Sequence, residues 1–340
     1  MFEYMVKRLV LAAMTLLVIM TISYVLLRLT PGDPTRSNVM GGESPDSNLS
    51  SEKGEFAENS ALRKRLHLDK PIYVGYYFWL KGVLTKGDFG TSASIDPGRP
   101  VTDIILERLP VTVKLNFWSV LVIYLFAIPL GIYSAIYPDT KFDRGVTFFL
   151  FFLYSLPVIW VALLLQASFC EGGWLSLFPL KGLRPANPDS LTTWQFLWQT
   201  ALHYFMPVAC LSYAGFAGIS RFARSSMLEV VSQDYIRTAR AKGLPEYVVI
   251  LKHALRNGMI TLITLFAGLL PGLVAGSIIT EYVFSIPGMG SLSLLSLSSR
   301  DYPVQMALFC FGGGLTLMGI LLSDILYVIV DPRITFSNRQ

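Results

Sequence analysis

The amino-acid sequence predicts an all-α membrane protein with six transmembrane helices and a long extracytoplasmic segment between the first two. The 340 residues have a mean hydropathy of +0.51 and contain 15% charged residues, whereas soluble domains carry about 25%. Six apolar stretches, each close to the roughly 20 residues that cross a bilayer, hold a single charged residue, Asp324. These stretches are 9–27, 115–137, 145–170, 201–220, 257–280 and 302–330.

The first stretch predicts a retained helix, because its uncharged run is longer than the core of a cleaved signal. The segment 35–60 is rich in Ser, Gly, Asn and Glu, which is typical of a flexible insertion. Aromatic residues clustered over 73–79 predict a short helix on the membrane surface. The predicted regions are an N-terminal helix (1–27), an extracytoplasmic segment (28–114), a five-helix core (115–330) and a tail (331–340).

The distribution of Lys and Arg predicts that both termini are cytoplasmic. Basic residues are enriched in short cytoplasmic loops, whereas long loops cross largely regardless of charge. Placing the N-terminus inside puts 13 Lys and Arg in the inner segments 1–8, 138–144, 221–256 and 331–340. The short outer loops 171–200 and 281–301 then hold three.

Several classes of protein are excluded by what the sequence lacks. Cys170, Cys210 and Cys310 lie in or at the end of apolar stretches and are expected to be small buried side chains rather than disulfides. The three histidines lie far apart, so no metal site is expected. No phosphate-binding loop, nucleophile motif or paired carboxylates are present, so we expect no cofactor, no catalytic residues and no ATP site in this chain. The charge distribution fits a lipid bilayer better than a nucleic acid.

The loop 221–256 carries the most ordered pattern outside the apolar stretches. Its apolar residues from Met227 to Ala239, including Tyr235, follow helical spacing. Gly243-Leu244-Pro245 then ends the helix, because glycine favours the C-terminal cap position and proline cannot continue a helix. A second amphipathic helix is predicted from Glu246. The loop is therefore predicted to present a helix, a glycine turn and another helix to the cytoplasm, although such a loop can also be merely solvated or attracted to lipid.

Glycine and proline mark the predicted spans. Gly268, Gly272 and Gly276 are spaced by four on the fifth span, so one helix face should allow close packing. Pro157, Pro207 and Pro271 interrupt the third, fourth and fifth spans and free backbone carbonyls, which either shape a transport path or only bend the helices.

Asp324 is open to two interpretations. An acid within the membrane is by default a candidate for function such as a proton relay. We favour a structural role in which Asp324 pairs with a basic residue near the inner interface.

Motifs throughout the chain resemble those of peptide-type ABC importer permeases, which include dipeptide, oligopeptide and nickel permeases. Gln233 to Gly243, followed by His253-Ala254-Leu255-Arg256-Asn257, resembles the coupling loop of that family. Thr238-Ala239-Arg240 and Thr261 depart from the broader importer pattern. Further similar motifs are Pro31-Gly32-Asp33-Pro34, Gly87-Asp88-Phe89-Gly90, Arg99-Pro100-Val101, Ser155 to Trp160, Phe284 to Gly290, Arg300 to Val304 and Asp331-Pro332-Arg333. The 178–183 and 189–191 segments, the ending and the 35–60 insertion resemble the microcin C-type oligopeptide subgroup.

The resemblance implies a type I ABC importer permease fold in the bacterial inner membrane. It implies a heterodimer with a second, homologous permease, cytoplasmic ABC ATPase subunits that hydrolyse ATP, and an extracytoplasmic solute-binding protein that delivers a peptide. Alternatives are a dipeptide or nickel permease, a proton-coupled secondary transporter and a membrane scaffold.

The resemblance also implies roles for individual residues. Tyr235 and Ala239 are expected to form the packed face of the coupling helix, and Pro157, Trp160 and Pro207 to line the transport path. The full set expected to contact or position the ATPase is Asp234, Tyr235, Arg237, Ala239, Lys242 and Gly243.

Overall fold

The computed structural model describes residues 2–30, 63–64, 67, 69–185, 187–255, 257–258 and 269–330. These residues form helices joined by short irregular segments, with two isolated β-bridges and no strand. A π-helical turn spans Val249–Ala254, and 3₁₀ turns span Pro188–Ser190 and Leu270–Leu273. The α-helices are α1 (Phe2–Leu29), α2 (Ile72–Lys86), α3 (Val101–Ile136), α4 (Lys141–Ser155), α5 (Val158–Phe169), α6 (Thr193–Val231), α7 (Asp234–Ala241), α8 (Glu246–Val248), α9 (Ile278–Val283), α10 (Met289–Ser298) and α11 (Tyr302–Val330).

Four of the described helices, α1, α3, α6 and α11, are long and apolar enough to cross a membrane. They correspond to the first, second, fourth and sixth predicted spans. Helix α3 begins at Val101, well before the predicted start at 115, and α6 extends beyond both ends of 201–220. Residues 259–268 of the predicted fifth span, the 35–60 insertion and the 331–340 tail lie outside the described residues.

The predicted third span, 145–170, is not one straight helix. It consists of α4 and α5, which are bent by 99° relative to each other. Leu156 precedes Pro157 and adopts an extended conformation (φ −79°, ψ 132°), because the proline ring disfavours the α region for the residue before it. The Tyr213 hydroxyl of α6 donates a hydrogen bond of 2.8 Å to the Leu156 carbonyl at the break. The bend is therefore stabilised by a neighbouring helix.

Helices α3 and α6 pack closely along their length because small residues lie where they meet. A Cβ atom added to Gly131 would lie 2.6 Å from the Cβ of Ala223. A Cβ on Gly215 would lie 2.5 Å from Ile123. Glycine at these two positions allows the helix backbones to approach, as is common in membrane proteins.

Helix α2 packs against α1 through the aromatic cluster of the predicted extracytoplasmic segment. The rings of Tyr76 and Trp79 lie 5.4 and 6.0 Å from that of Tyr24. The Thr21 and Tyr76 hydroxyl oxygens are 2.6 Å apart. The predicted helix over 73–79 is therefore confirmed as part of α2, and its place on the membrane surface remains a prediction.

The loop 88–100 is anchored to the start of α11 by a buried aspartate. Asp301 is fully buried, and its Oδ2 accepts hydrogen bonds from the Ser92 hydroxyl (2.6 Å) and from three consecutive backbone N–H groups. Those N–H groups belong to Ala93, Ser94 and Ile95, at 2.9 to 3.1 Å. These hydrogen bonds stabilise the carboxylate and fix the loop against the bundle.

Helices α1 and α11 are joined by an ion pair. Arg8 Nε lies 2.8 Å from Asp324 Oδ2, and the Asp324 side chain is 16% exposed. The prediction that Asp324 pairs with a basic residue is therefore confirmed. Cys310 of α11 is 3.8 Å from Met20 of α1 and, like Cys170 and Cys210, is buried and free, as predicted.

We expect Asp324→Asn to weaken the α1–α11 contact without changing how uptake depends on external pH. Losing the ion pair leaves Arg8 without this partner in a partly buried site, which should lower the free energy of unfolding by roughly 1–3 kcal/mol. Unfolding in detergent and solute uptake at several external pH values would measure both effects. Arg8→Gln should cost about as much, and the double variant should cost little more than either. Uptake by Asp324→Asn that no longer responds to pH would support a proton relay instead.

Candidate functional site

The loop 221–256 contains the predicted helix–turn–helix, but its first helix begins later than the apolar spacing indicated. Helix α6 continues into the loop as far as Val231. The chain then breaks, and Gln233 adopts an extended conformation (ψ 150°) before α7 begins at Asp234. The residues from Met227 to Ala239 therefore belong to two helices rather than one.

The packed face of α7 differs from the predicted one at one position. Ala239 is buried, as expected, but Tyr235 is 42% exposed and the fully buried neighbour is Ile236. The Tyr235 hydroxyl accepts a hydrogen bond of 2.7 Å from Asn257 Nδ2. Because the chain breaks before α7, the side chains of α7 do not continue the helical spacing of α6. Ile236 rather than Tyr235 therefore lies on the buried face.

The turn after α7 has the backbone conformation that the glycine signal predicts. Gly243 has φ +73°, in the left-handed region that side chains rarely adopt. Its N–H donates to the Arg240 carbonyl at 2.9 Å, and Pro245 then precedes α8. Gly243 thus reverses the chain between α7 and the segment that follows.

An ion pair that the sequence analysis did not identify spans this turn. Arg240 Nη2 lies 2.6 Å from Glu246 Oε1, with both side chains about half exposed. The hydrogen bonds from Arg240 lower the pKa of the Glu246 carboxyl, so the pair is charged at neutral pH. Exposed ion pairs contribute little to the free energy of folding. The main effect of this pair is to orient the side chains of Arg240 and Glu246 toward each other across the turn. Opposite charges three residues on either side of Gly243 were the available signal.

A buried cluster connects α7 to the rest of the molecule. Ile236 and Ala239 lie in one buried cluster, the Ile236 cluster, with Ala135 near the end of α3, Met227 of α6 and the π-helical turn after α8. The residues that the turn contributes are Val249, Ile250 and Ala254. A displacement of α7 would therefore act on the ends of α3 and α6 through this cluster.

The opposite face of α7 is exposed and charged. The side chains of Asp234 and Arg237 are 96% and 74% exposed and lie 3.6 Å apart. Lys242 is also exposed. The surface pair holds Asp234 and Arg237 only weakly. All three predicted contact residues are therefore accessible to a partner.

A buried ion pair fixes α4 to α6 beside this loop. Asp143 accepts two hydrogen bonds from Arg224, at 2.9 Å from Nε and 2.8 Å from Nη2. The Asp143 side chain is 5% exposed and that of Arg224 is 32% exposed. This two-point geometry is the strong form of an arginine–carboxylate pair, so the first turn of α4 should follow α6 when α6 moves.

We expect a double-mutant cycle of Asp143→Asn and Arg224→Gln to give a coupling energy of roughly 1.5–3 kcal/mol, because each charge satisfies the other in a partly buried site. Thermal unfolding in detergent would measure it. The exposed pair of Arg99 and Glu107, 2.7 Å apart, is the matched control and should give less than about 1 kcal/mol. Equal coupling in the two pairs would contradict the structural role of Asp143.

The three residues predicted to line a transport path differ in their exposure. Pro157 is exposed at the α4–α5 break and Trp160 is 50% exposed, whereas Pro207 is buried within α6. Their role in lining a path remains a prediction.

The predicted glycine face of the fifth span is wrong over its described part. The chain forms a 3₁₀ turn at Leu270–Leu273 and is not helical from there to Ser277, because Pro271 cannot extend an α-helix ladder. Gly272 has open space around it, while a Cβ on Gly276 would collide with the backbone nitrogen of Gly290. Gly268 lies outside the described residues.

The described residues form a helical bundle with four helices long and apolar enough to cross a membrane, and with an exposed helix–turn–helix at one end of α6. The chain belongs to the family described as "Binding-protein-dependent transport system inner membrane component", whose model matches residues 127–336. The model of the N-terminal region of these components matches residues 1–116. The chain is therefore a membrane subunit of a transport system and not itself an enzyme.

Curated relatives match along nearly the whole chain. The oligopeptide transport system permease protein AppB of Bacillus subtilis is 37% identical over 98% of this chain and 99% of its own length. The inner membrane ABC transporter permease protein YejB of Escherichia coli O157:H7 is 35% identical, covering 99% of each. The dipeptide transport system permease protein DppB of B. subtilis is 34% identical, with the same coverage. The resemblance to peptide-type ABC permeases is thus confirmed.

A solved structure has the same fold. The inward-facing methionine ABC transporter MetNI aligns with a TM-score of 0.52 at 17% identity, covering 68% of this chain and 97% of that chain. At this identity the likeness shows the fold alone, which is that of an ABC importer permease.

Proposed function

We propose that this chain is the permease subunit of an ATP-driven importer of oligopeptides or dipeptides. The observation that carries the proposal is its full-length similarity to the AppB and DppB permeases. The exposed α7 and its glycine turn support it, because they provide a surface that an ATPase subunit can move. A peptide substrate is favoured over nickel because only three histidines, far apart in sequence, are present.

The partners follow from the same proposal. A cytoplasmic ABC ATPase docks on α7, where Asp234, Arg237 and Lys242 are accessible. A second, homologous permease completes the pathway as a heterodimer, and an extracytoplasmic binding protein delivers the peptide. The complex lies in the inner membrane with both termini cytoplasmic, which the 13 inner and three outer basic residues support.

The proposed mechanism uses no covalent chemistry in this chain. ATP-driven closure of the ATPase displaces α7, and the Ile236 cluster passes the displacement to α3 and α6. The pathway then alternates between the two sides of the membrane. Such coupling requires an element with two positions that both ATP and substrate bias.

Reconstitution in liposomes tests this function. We expect uptake of a labelled peptide only when the second permease, the ATPase, the binding protein and ATP are all present. Uptake by this chain alone under a pH gradient would identify a secondary transporter. Binding of partners without any solute movement would identify a scaffold. A non-hydrolysable ATP analogue is the control and should abolish uptake.

A further inference from the structure

Glu281 of α9 is a fully buried acid to which the transport mechanism above gives no role. The Thr112 hydroxyl of α3 donates a hydrogen bond of 3.0 Å to Glu281 Oε1. The Ser291 N–H, in the first turn of α10, donates one of 2.8 Å to Oε2. Backbone N–H groups of Gly290 and Ser277 also interact with the carboxyl group. Glu281 therefore connects α3 to both ends of the segment 277–291.

The hydrogen positions around this carboxyl group are determined by its neighbours. The Thr112 hydroxyl oxygen accepts a hydrogen bond of 2.8 Å from the Met289 N–H, so the hydroxyl hydrogen is directed at Glu281. Backbone N–H groups can only donate. Every described partner of the Glu281 carboxyl group is thus a donor. Burial raises the pKa of this carboxyl group, and the donated hydrogen bonds oppose that effect by stabilising the ionised form.

Three glycines close the space around the carboxylate. A Cβ on Gly288 would lie 2.6 Å from Glu281 Oε2, and a Cβ on Gly290 would lie 3.1 Å from the same atom. A Cβ on Gly276 would lie 2.9 Å from Oε1. No room remains for a substrate, so Glu281 acts by positioning its neighbours.

A second side chain on the same face of α3 binds the chain just before Glu281. Asn116 lies one helical turn after Thr112. Its Nδ2 donates hydrogen bonds of 2.9 Å to the carbonyls of Leu273 and Ala275. Thr112 and Asn116 therefore hold the segment 272–291 on α3 at several points, all through its backbone or through Glu281.

The opposite end of α3 reaches the candidate docking element. Helix α3 has 36 residues, which corresponds to a length of about 54 Å. Near its last turn, Ala135 belongs to the same buried cluster as Ile236 of α7. One continuous helix thus reaches α7 through this cluster and, about 20 residues earlier in the same helix, holds the segment 272–291.

We propose that Glu281 is a positioning residue that fixes the segment 272–291 to α3, so that α3 moves this segment whenever α7 is displaced. The inference rests on the proposed function, because it concerns how ATP-driven movement reaches the far side of the bundle. Helix α3 and the segment form one rigid body during transport.

Spin labels on α3 and α9 test this rigid body directly. Leu106 of α3 and Tyr282 of α9 are 58% and 67% exposed, and the native cysteines are buried, so introduced cysteines can be labelled selectively. In the assembled complex we expect one narrow distance distribution that is unchanged by ATP. Glu281→Gln keeps the shape but removes the charge, and should broaden the distribution and lower uptake at least about fivefold.

Asp301→Asn is the matched control, since it also removes a buried carboxylate that accepts backbone hydrogen bonds. It should reduce thermal stability but leave the distance between the labels narrow. An ATP-dependent change of the wild-type distance, or wild-type uptake by Glu281→Gln, would overturn the proposal. If wild-type liposomes show no ATP-driven uptake, the proposed function fails. The role of Glu281 can then still be tested in the isolated chain. A broader distance distribution for Glu281→Gln than for the wild type would support it, and equal widths would contradict it.

Discussion

Gly243→Val is expected to abolish peptide uptake while the protein remains in the membrane. Gly243 has φ +73°, and a β-branched residue in that region costs about 1–3 kcal/mol. A Cβ at this position would meet no atom within 4 Å, so the effect comes from the backbone alone. Relaxing the strain would change the angle between α7 and α8 and misplace the surface on which we propose that the ATPase docks. Uptake assays and immunoblots of isolated membranes measure the two quantities.

The chain provides a close control for this substitution. Gly172 has φ +85° and likewise has no atom within 4 Å of an added Cβ, but it lies in a different loop. Gly172→Val should therefore introduce similar strain and leave ATP-dependent uptake measurable. Gly243→Asn should retain part of the activity, because asparagine tolerates the left-handed region better than valine. Wild-type uptake by Gly243→Val would remove this turn from the mechanism.

Ile236→Ala is expected to reduce both ATPase binding and uptake more than tenfold. Ile236 of α7 is fully buried in the cluster that also contains residues of α6, of the end of α3 and of the turn 249–254. Removing its side-chain carbons leaves a cavity, a change that typically costs about 2–5 kcal/mol. The loss falls on the contact that attaches α7, so α7 should detach before the rest of the bundle unfolds. Co-purification of the ATPase subunit and uptake assays measure the effect.

Ile105→Ala separates this effect from a general loss of stability. Ile105 is also fully buried, but it packs with the start of α11 and with α10 rather than with α7. Its replacement should lower the unfolding temperature by a similar amount and leave ATPase binding intact. If both variants bind the ATPase normally, the Ile236 cluster does not carry the coupling.

Local sequence patterns are sufficient to predict those structural elements whose conformation depends on residues nearby in the chain. The Gly243 turn, the aromatic helix α2 and the apolar cores of α1, α3, α6 and α11 were predicted because glycine, aromatic and apolar spacing act over one or two turns. The break at Ser232 and Gln233 was not predicted, since neither residue is a strong helix breaker. If the helical spacing of α6 is continued across this break, Tyr235 falls on the buried face of α7, which Ile236 occupies in the structure.

For contacts between residues far apart in the sequence, only the chemical type of the partner can be predicted, not which residue it is. A basic partner for Asp324 was expected, but its identity as Arg8 depends on how α1 and α11 pack. Glu281 carried no signal for burial, because its hydrogen-bond donors come from Thr112, 169 residues away, and from the backbone. Gly276 is predicted on a helix face because a proline such as Pro271 can lie within a bent helix, whereas the chain forms a 3₁₀ turn there and leaves the α-helix.

The pairing of α1 with α11 constrains the order in which the molecule is assembled. Arg8 and Met20 are translated well before their partners Asp324 and Cys310. Until α11 has been made, α1 lacks these contacts and the guanidinium of Arg8 lacks this carboxylate. Biogenesis of the bundle therefore includes a late step that joins two segments far apart in the sequence.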